Sequence, residues 1–409
     1  MDVNNTFSIK HALVFNAFFV LNFFIWLLGF QIISPIFFIA LLVYFSYFTF
    51  DSFRLKHPLP VLIILYLGLL SLGTVATSWD ARSIWLYHAK RIFIDNSIFA
   101  QLDDYAIWSH NDYPVMLPLL SASFAKLIGY WNEIYPKASN VFFILPPLLI
   151  FYDYLKNPRW FVLLVVGIFY ILAKLLINGY MDGILTLYAL STLIIFYQLR
   201  ENNNNKLLLL LAVLHSCVLV SIKNEGIYIF TILICCMYSI SLKQFLISIQ
   251  KTWVLLIPYL FWLVWRLITQ HYSVYNDMES GLFEKISFNN DFLKSILVIL
   301  KERLSWDNLT LIAQFLFESK YYLFGMMSIV MHVIFKKKCN MWSRLDSFII
   351  QFIFAYLIFL FFVYVFTPHD LFWHLKTSAT RTTLPIQLSC WIFFISIARK
   401  ISSHEKYRD

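Results

Sequence analysis

Apolar runs close to the length of a membrane-crossing helix recur along this chain, near residues 11–30, 34–50, 59–77, 139–155, 160–177, 182–198, 207–221, 226–242, 252–269, 318–335, 346–366 and 383–398. A helix rises about 1.5 Å per residue, so about 20 apolar residues cover the roughly 30 Å hydrocarbon layer. Inside that layer no water satisfies a backbone N–H or C=O, which confines such runs to helices whose hydrogen bonds close internally. The sequence therefore predicts an all-α polytopic membrane protein with about 12 transmembrane helices. Composition agrees, since 60% of the 409 residues are hydrophobic and only 13% are charged, too few to cover a water-soluble surface.

The formal charge of +9 would suggest a polyanionic partner in a soluble protein. Here the basic residues cluster in short connectors between apolar runs, as topology signals do, and no nucleic-acid role is needed. Segment 114–128, PVMLPLLSASFAKLI, decides the topology. If it lies at the interface rather than crossing, Lys10, Arg54, Lys56, Lys156, Arg159, Arg200, Lys206, Lys243, Lys251, the Lys336–Lys338 cluster and the tail RKISSHEKYRD share the cytoplasmic side. The positive-inside rule selects that arrangement. It leaves three external loops, 77–138, 270–317 and 367–381, with interfacial helices in the first, and it puts Asp80, Asp103, Asp104, Asp112, Asp182, Glu225, Asp277, Glu279 and Asp370 outside. The N-terminal run lacks a small-residue cleavage site and is expected to be a retained span. Cys217, Cys235, Cys236, Cys339 and Cys390 show neither paired-loop nor metal-type spacing and are read as packing residues.

Chemistry is expected first in SWDARSIW and the loop that follows. Asp80 comes one Trp after a span, which puts a carboxylate at the membrane–water boundary, where it can accept a proton from an attacking hydroxyl. The competing reading is a helix cap. Arg82 follows, Lys90 and Arg91 read as cations reaching to the interface, and SHNDYP offers His110, Asp112 and Tyr113 ahead of a proline-led helix whose free N–H groups face the same space. Trp79, Trp85, Tyr105, Trp108 and Tyr113 can stack on a sugar or anchor the interface.

Three later stretches carry further candidates. In NGYMDG, Asp182 has no basic neighbour in sequence, a costly position beside a bilayer unless it faces a polar cavity. In SIKNEG, Lys223 and Glu225 either pair with each other or serve a site in which Lys223 meets a phosphate. TPHDLFWHLKTSATR supplies His369, Asp370, His374, Lys376 and Arg381, of which Arg381 can grip a phosphate bidentately and Lys376 can assist as a point charge. No tight His pair occurs in an outward loop, so neither a metal nor another cofactor is expected.

Together these motifs resemble the GT-C superfamily of integral membrane glycosyltransferases, in the branch of protein O-mannosyltransferases and lipid A aminoarabinose transferases. The resemblance runs from about residue 60 onward: Asp80 of SWDARSIW matches that branch's catalytic base, DYPVMLPLLSASFAKLIG its proline-led interfacial helix, Asp182 of GYMDGILTLY an acid opening a later span, and Lys223 of SIKNEG a lysine-bearing turn. It implies a catalytic domain over 59–409, and the two N-terminal helices expected over residues 1–58 precede it where many relatives have none. The lone Asp80, followed by Ala81 where many relatives have paired acids, departs from the pattern.

The expected activity is inverting transfer of a sugar from a polyprenyl-phosphate donor to a glycan, lipid or protein acceptor, on the external face of what the sequence suggests is a bacterial inner membrane. Alternatives are a transporter or flippase for a lipid-linked or anionic solute, to which intramembrane Lys174 and Arg266 would be suited, and a polysaccharide polymerase or ligase. The topology is open to measurement: reporters fused after Lys338 and at the C-terminus should both read cytoplasmic, and one near Ser287 external. An external signal after Lys338 would mean that 114–128 crosses the membrane.

Overall fold

The computed structural model describes residues 4–100, 102, 106–202, 204–238, 253–276, 278, 297, 300–335 and 343–405. Asp103, Asp104, Tyr105, Lys243, Lys251, Asp277, Glu279, Ser287, Lys336–Lys338 and Cys339 lie outside the described residues, as does much of the 270–317 loop. Those described are helical with no strand among them, the outcome that the need to close every backbone hydrogen bond in lipid imposes.

Two compact units are present, one of residues 1–162 and 172–274, the other of residues 163–171 and 275–409. The first contains α1 (Asn4–Leu27), α2 (Ser34–Arg54), α3 (Leu59–Leu72), α4 (Leu86–Asp95), α5 (Met116–Ile128), α6 (Tyr135–Ser139), α7 (Leu145–Leu155), the ends of α8 (Pro158–Ile177), α9 (Asp182–Glu201), α10 (Lys206–Val220), α11 (Glu225–Tyr238) and α12 (Ile257–His271). The second holds the middle of α8 with α13 (Trp306–Phe317), α14 (Tyr322–Phe335), α15 (Arg344–Val365), α16 (Leu371–Thr382) and α17 (Leu384–Glu405).

Among the described residues, eight helical stretches are long and apolar enough to cross a membrane: Phe7–Leu27, Gln31–Arg54, Tyr135–Leu155, Pro158–Ile177, Asp182–Glu201, Trp253–His271, Arg344–Val365 and Leu371–Ser402. The apolar runs at 59–77, 207–221, 226–242 and 318–335 fall on the shorter helices α3, α10, α11 and α14. The protein is thus a multi-pass, all-helical membrane protein. Segment 114–128 forms α5, whose 13 residues reach about 20 Å, short of the hydrocarbon thickness. Gly129, at φ +88°, ends it in the left-handed conformation open to a residue without Cβ.

Local chemistry sets the helix ends. Proline occupies the first positions of α2, α3, α6, α7, α8 and α12, where its missing N–H costs no hydrogen bond. Asn157 caps α8, and Asn205, the last Asn of the polar ENNNNK turn, caps α10 by accepting from Leu208 N at 3.1 Å. In the first unit α1 runs against α7 and α10, and α9 lies between α7, α10 and α11. Sixteen of the 20 residues of α9 are buried, a helix apolar on all sides because protein surrounds it. The second unit is built around α17, against which α14 and α15 pack. At its base the fully buried Asp346 closes the capping box of α15 with Ser343 and binds Ser396 and Lys400 of α17.

Within that second unit the Trp391 indole donates to the Leu163 carbonyl at 3.2 Å, and a Cβ placed on Gly167 would lie 1.9 Å from the indole nitrogen. Gly167→Ala should therefore cost roughly 1–3 kcal/mol through overpacking. Gly68→Ala, with its nearest atom 3.9 Å away, should be close to neutral. Thermal unfolding of both variants in nanodiscs checks the contrast.

Candidate functional site

Three of the candidate stretches meet in the first unit. After α3 residues 74–77 form no helix, the chain turns helical at Trp79, and Ala81–Trp85 form a π turn before α4 continues. Such wide turns occur mostly at functional positions, since the looser spacing re-aims side chains. Asp80 sits at the entry of this turn, half-buried, with helical φ −59° and ψ −40° and no side-chain capping hydrogen bond there. The cap reading of this carboxylate has no geometric counterpart at the π turn.

The turn is docked on the segment that opens α9. Ser78 receives a hydrogen bond from the Asn178 amide at 3.4 Å, and a methyl group added to Gly179 would lie 3.3 Å from the Ala81 Cβ. Gly179 has φ +92°, so the close approach and the left-handed backbone both require glycine. Three residues on lies Asp182, buried, its Oδ1 3.1 Å from the Lys223 ammonium. The same ammonium is 2.8 Å from Glu225 Oε1. The neighbour that sequence adjacency denies Asp182 is thus supplied through space, and Lys223 pairs with both acids.

The SHNDYP stretch closes over this ion cluster. Asp112 accepts from the Asn224 amide at 2.5 Å, while its carbonyl accepts from the Trp265 indole at 2.8 Å. Tyr113 lies beneath the Lys223 ammonium, 5.7 Å from ring centre to nitrogen, and stacks with His110 at 4.8 Å and Trp85 at 5.4 Å. His110 holds φ +50°, a conformation that costs a non-glycine residue energy and collects at functional sites. The outcome is an aromatic stack, Trp85–Tyr113–His110, beside a polar floor of Asp112, Asn224, Lys223, Asp182 and Glu225. With Lys223 its one cation, that floor carries three acids. Among the described residues no group of three His, Cys, Asp or Glu side chains is placed to hold a metal ion.

Other candidates have structural partners. Arg82 lies 3.7 Å from Glu133, both well exposed, a pair worth little in water. Lys90 is exposed, but Arg91 turns inward instead of reaching to the interface: buried, it donates to the carbonyls of Ala100 at 2.6 Å and Ile98 at 3.4 Å, tying down the next turn. Trp79 and Trp108 are exposed, as interface anchors would be.

The TPHDLFWHLKTSATR stretch belongs to the second unit. Asp370 caps α16 by accepting from Trp373 N at 2.8 Å; His374 Nδ1 is 2.7 Å from the Thr367 hydroxyl, and the His369 carbonyl accepts from Arg303 at 3.0 Å. Arg381 donates to the Thr377 carbonyl of its own helix at 3.1 Å, and exposed Lys376 lies over the Phe372 ring at 5.8 Å. His369 and His374 rings stand 5.5 Å apart.

Two residues that the motifs do not single out support the first-unit site. Lys137, 1% exposed, follows Pro136 in α6 and donates to the Thr74 carbonyl; a lone cation at the head of an apolar run was its sequence signal. His88 on α4 is fully covered beneath the Ser109–Asn111 backbone. Neither ring nitrogen makes a well-formed hydrogen bond, although the Ser109 backbone and Asn111 side chain lean toward it. Burial, with smaller contributions from the Arg91 and His110 charges, pushes its pKa down from 6.5 to about 3.

No family model matches this chain, and neither a curated protein nor a solved structure matches it. The reading of the site rests on its own geometry.

Because folded His88 resists protonation, the unfolded chain binds the proton first as pH drops. Its contribution is therefore intact above pH 6.5 and is lost progressively toward pH 3, by roughly 2 kcal/mol at pH 5. The melting temperature should fall between pH 7 and 5, and His88→Gln should flatten that slope. An unchanged slope would show that His88 carries none of the acid sensitivity.

Proposed function

We propose that this protein is an inverting glycosyltransferase that moves a sugar from a polyprenyl-phosphate carrier to an acceptor hydroxyl at the membrane surface. The observation that carries the reading is the meeting, within one unit, of a half-buried carboxylate on a π turn with an aromatic stack and a floor of buried planar hydrogen-bonding groups. Sugars present both kinds of surface: C–H faces that lie on aromatic rings, and hydroxyls that carboxylates and amides hold in pairs. Asp112, Asn224 and Asp182 suit the hydroxyls, while the Trp85–Tyr113–His110 stack offers the aromatic surface.

In the proposed reaction Asp80 accepts the proton of the acceptor hydroxyl as its oxygen bonds to the sugar's anomeric carbon. The bond from that carbon to the phosphate oxygen breaks with its electron pair, and prenyl phosphate departs. Proton transfer to a held carboxylate is worth about 10²–10⁴-fold, and cations that meet the developing phosphate charge supply the electrostatic remainder. Lys223, already paired with two carboxylates, is better placed to order the floor than to receive a phosphate.

Little favours a solute carrier. Lys174, one of the two intramembrane cations suited to such a role, lies on an exposed helix face, and Arg266 is only half-buried.

Asp80→Asn keeps size and hydrogen bonding but cannot take a proton, so transfer from a synthetic prenyl-phosphate sugar in nanodiscs should fall by about 10²–10⁴-fold with donor binding retained. Asp80→Glu, displaced by one methylene, should be intermediate. Near-normal transfer by well-folded Asp80→Asn protein would end the general-base role, and transport without transfer by the unmutated protein would end the enzyme reading.

A further inference from the structure

Lys137 is a buried cation that meets no carboxylate among the described residues. Its ammonium donates to the Thr74 carbonyl. An ammonium carries three donors, and a carbonyl dipole satisfies one of them without cancelling the charge. Burying an ammonium costs several kcal/mol unless an anion meets it. The other buried Lys and Arg side chains among the described residues have further partners: Lys223 has two carboxylates, and Arg91 has two carbonyls.

The position is specific. The aliphatic stem passes Gly179, where an added methyl would lie 3.5 Å from the Lys137 Cγ and 3.3 Å from the Ala81 Cβ. The ammonium therefore lies against the segment that leads from Thr74 to Asp80, on which Val75 and Trp79 are 65% and 52% exposed. Its residues 74–77 form no helix, so a shift of a few residues suffices to exchange the Thr74 carbonyl for another acceptor.

We propose that Lys137 is the phosphate-binding residue of this site, receiving the anionic head of a prenyl phosphate in exchange for the Thr74 carbonyl. The assignment rests on the donor-lipid reading above and gives its phosphate a location: beside the Thr74 carbonyl, on the segment that leads to the proposed base, with the lysine stem passing Gly179. The phosphate oxygens satisfy the two idle N–H donors, and the ammonium offsets charge that grows on the phosphate as the sugar leaves.

Binding of undecaprenyl phosphate, of the uncharged prenol and of inorganic phosphate to the full-length protein in neutral-lipid nanodiscs, read by native mass spectrometry, tests this. Lys137→Met should weaken undecaprenyl phosphate binding roughly 10–100-fold, the usual worth of a buried charge-assisted hydrogen bond, and leave prenol binding unchanged. Competition by inorganic phosphate at millimolar levels would identify a site for the free anion, whereas its absence marks the lipid as the ligand. Equal binding of undecaprenyl phosphate by folded Lys137→Met and unmutated protein would overturn the proposal. If Lys137→Met does not fold, Lys137→Arg decides: its longer, planar head should shift affinity several-fold, and an unshifted affinity counts against the site. Lys137-dependent binding in a protein without transferase activity would sink the enzyme reading and leave the phosphate site standing.

Discussion

The ammonium of Lys223, held between Asp182 and Glu225, is the interaction on which the arrangement of the first unit's polar end depends. It joins the turn that opens α9 to the turn that opens α11, and through the neighbouring Asn224 it reaches Asp112 in the long loop ahead of α5. None of these groups tolerates isolation. Removing the ammonium would break the buried Lys223–Asp182 pair, a kind of loss that costs about 3–5 kcal/mol. The apolar helices bring their ends near one another; this ion cluster decides which end faces which.

Around that anchor the fold separates positioning from chemistry. Trp265, Asn224 and Lys223 fix Asp112 and Tyr113, and Tyr113 in turn is sandwiched between Trp85 and His110. Arg91 and His88 lie a layer further out, the first binding the turn after α4 and the second filling the space under Ser109–Asn111 as a neutral ring. A protein that must present a reactive carboxylate at a water–lipid boundary gains from this order, because half-buried groups keep their geometry only when the residues behind them cannot move.

The helical architecture was legible because lipid reduces the problem to counting apolar stretches, and the described residues form helices of which eight stretches are long and apolar enough to cross a membrane. His110, Asp112, Tyr113, Asp182, Lys223 and Glu225 stood out individually, since polar side chains beside apolar runs are costly without a purpose. Their partnership did not. Lys223 and Asp182 are 41 residues apart and Asn224 and Asp112 are 112 apart, and no periodicity encodes such pairings. Reading along the chain instead paired Lys223 only with Glu225 and read Arg91 as a surface cation. Asp370 shows the reverse case, in which a residue selected for its chemistry serves as a helix cap. His88 and Lys137 were passed over because a histidine in a helix and a lysine after a proline are common, and only burial distinguishes them.

The π turn at Ala81–Trp85 has a consequence for how this segment tolerates change. A wide turn accommodates one residue more than an α-helical turn does, and each residue in an α-helix advances the face by about 100°. Deleting a single residue here would not merely shorten the helix. It would restore regular winding: the wide turn completes its circle with one residue more, so the faces on either side stay nearly in register, and what is lost is the looser spacing around Asp80. Insertions in the ENNNNK turn only lengthen a connector, but in these five residues a change of count exchanges the wide turn for a regular one.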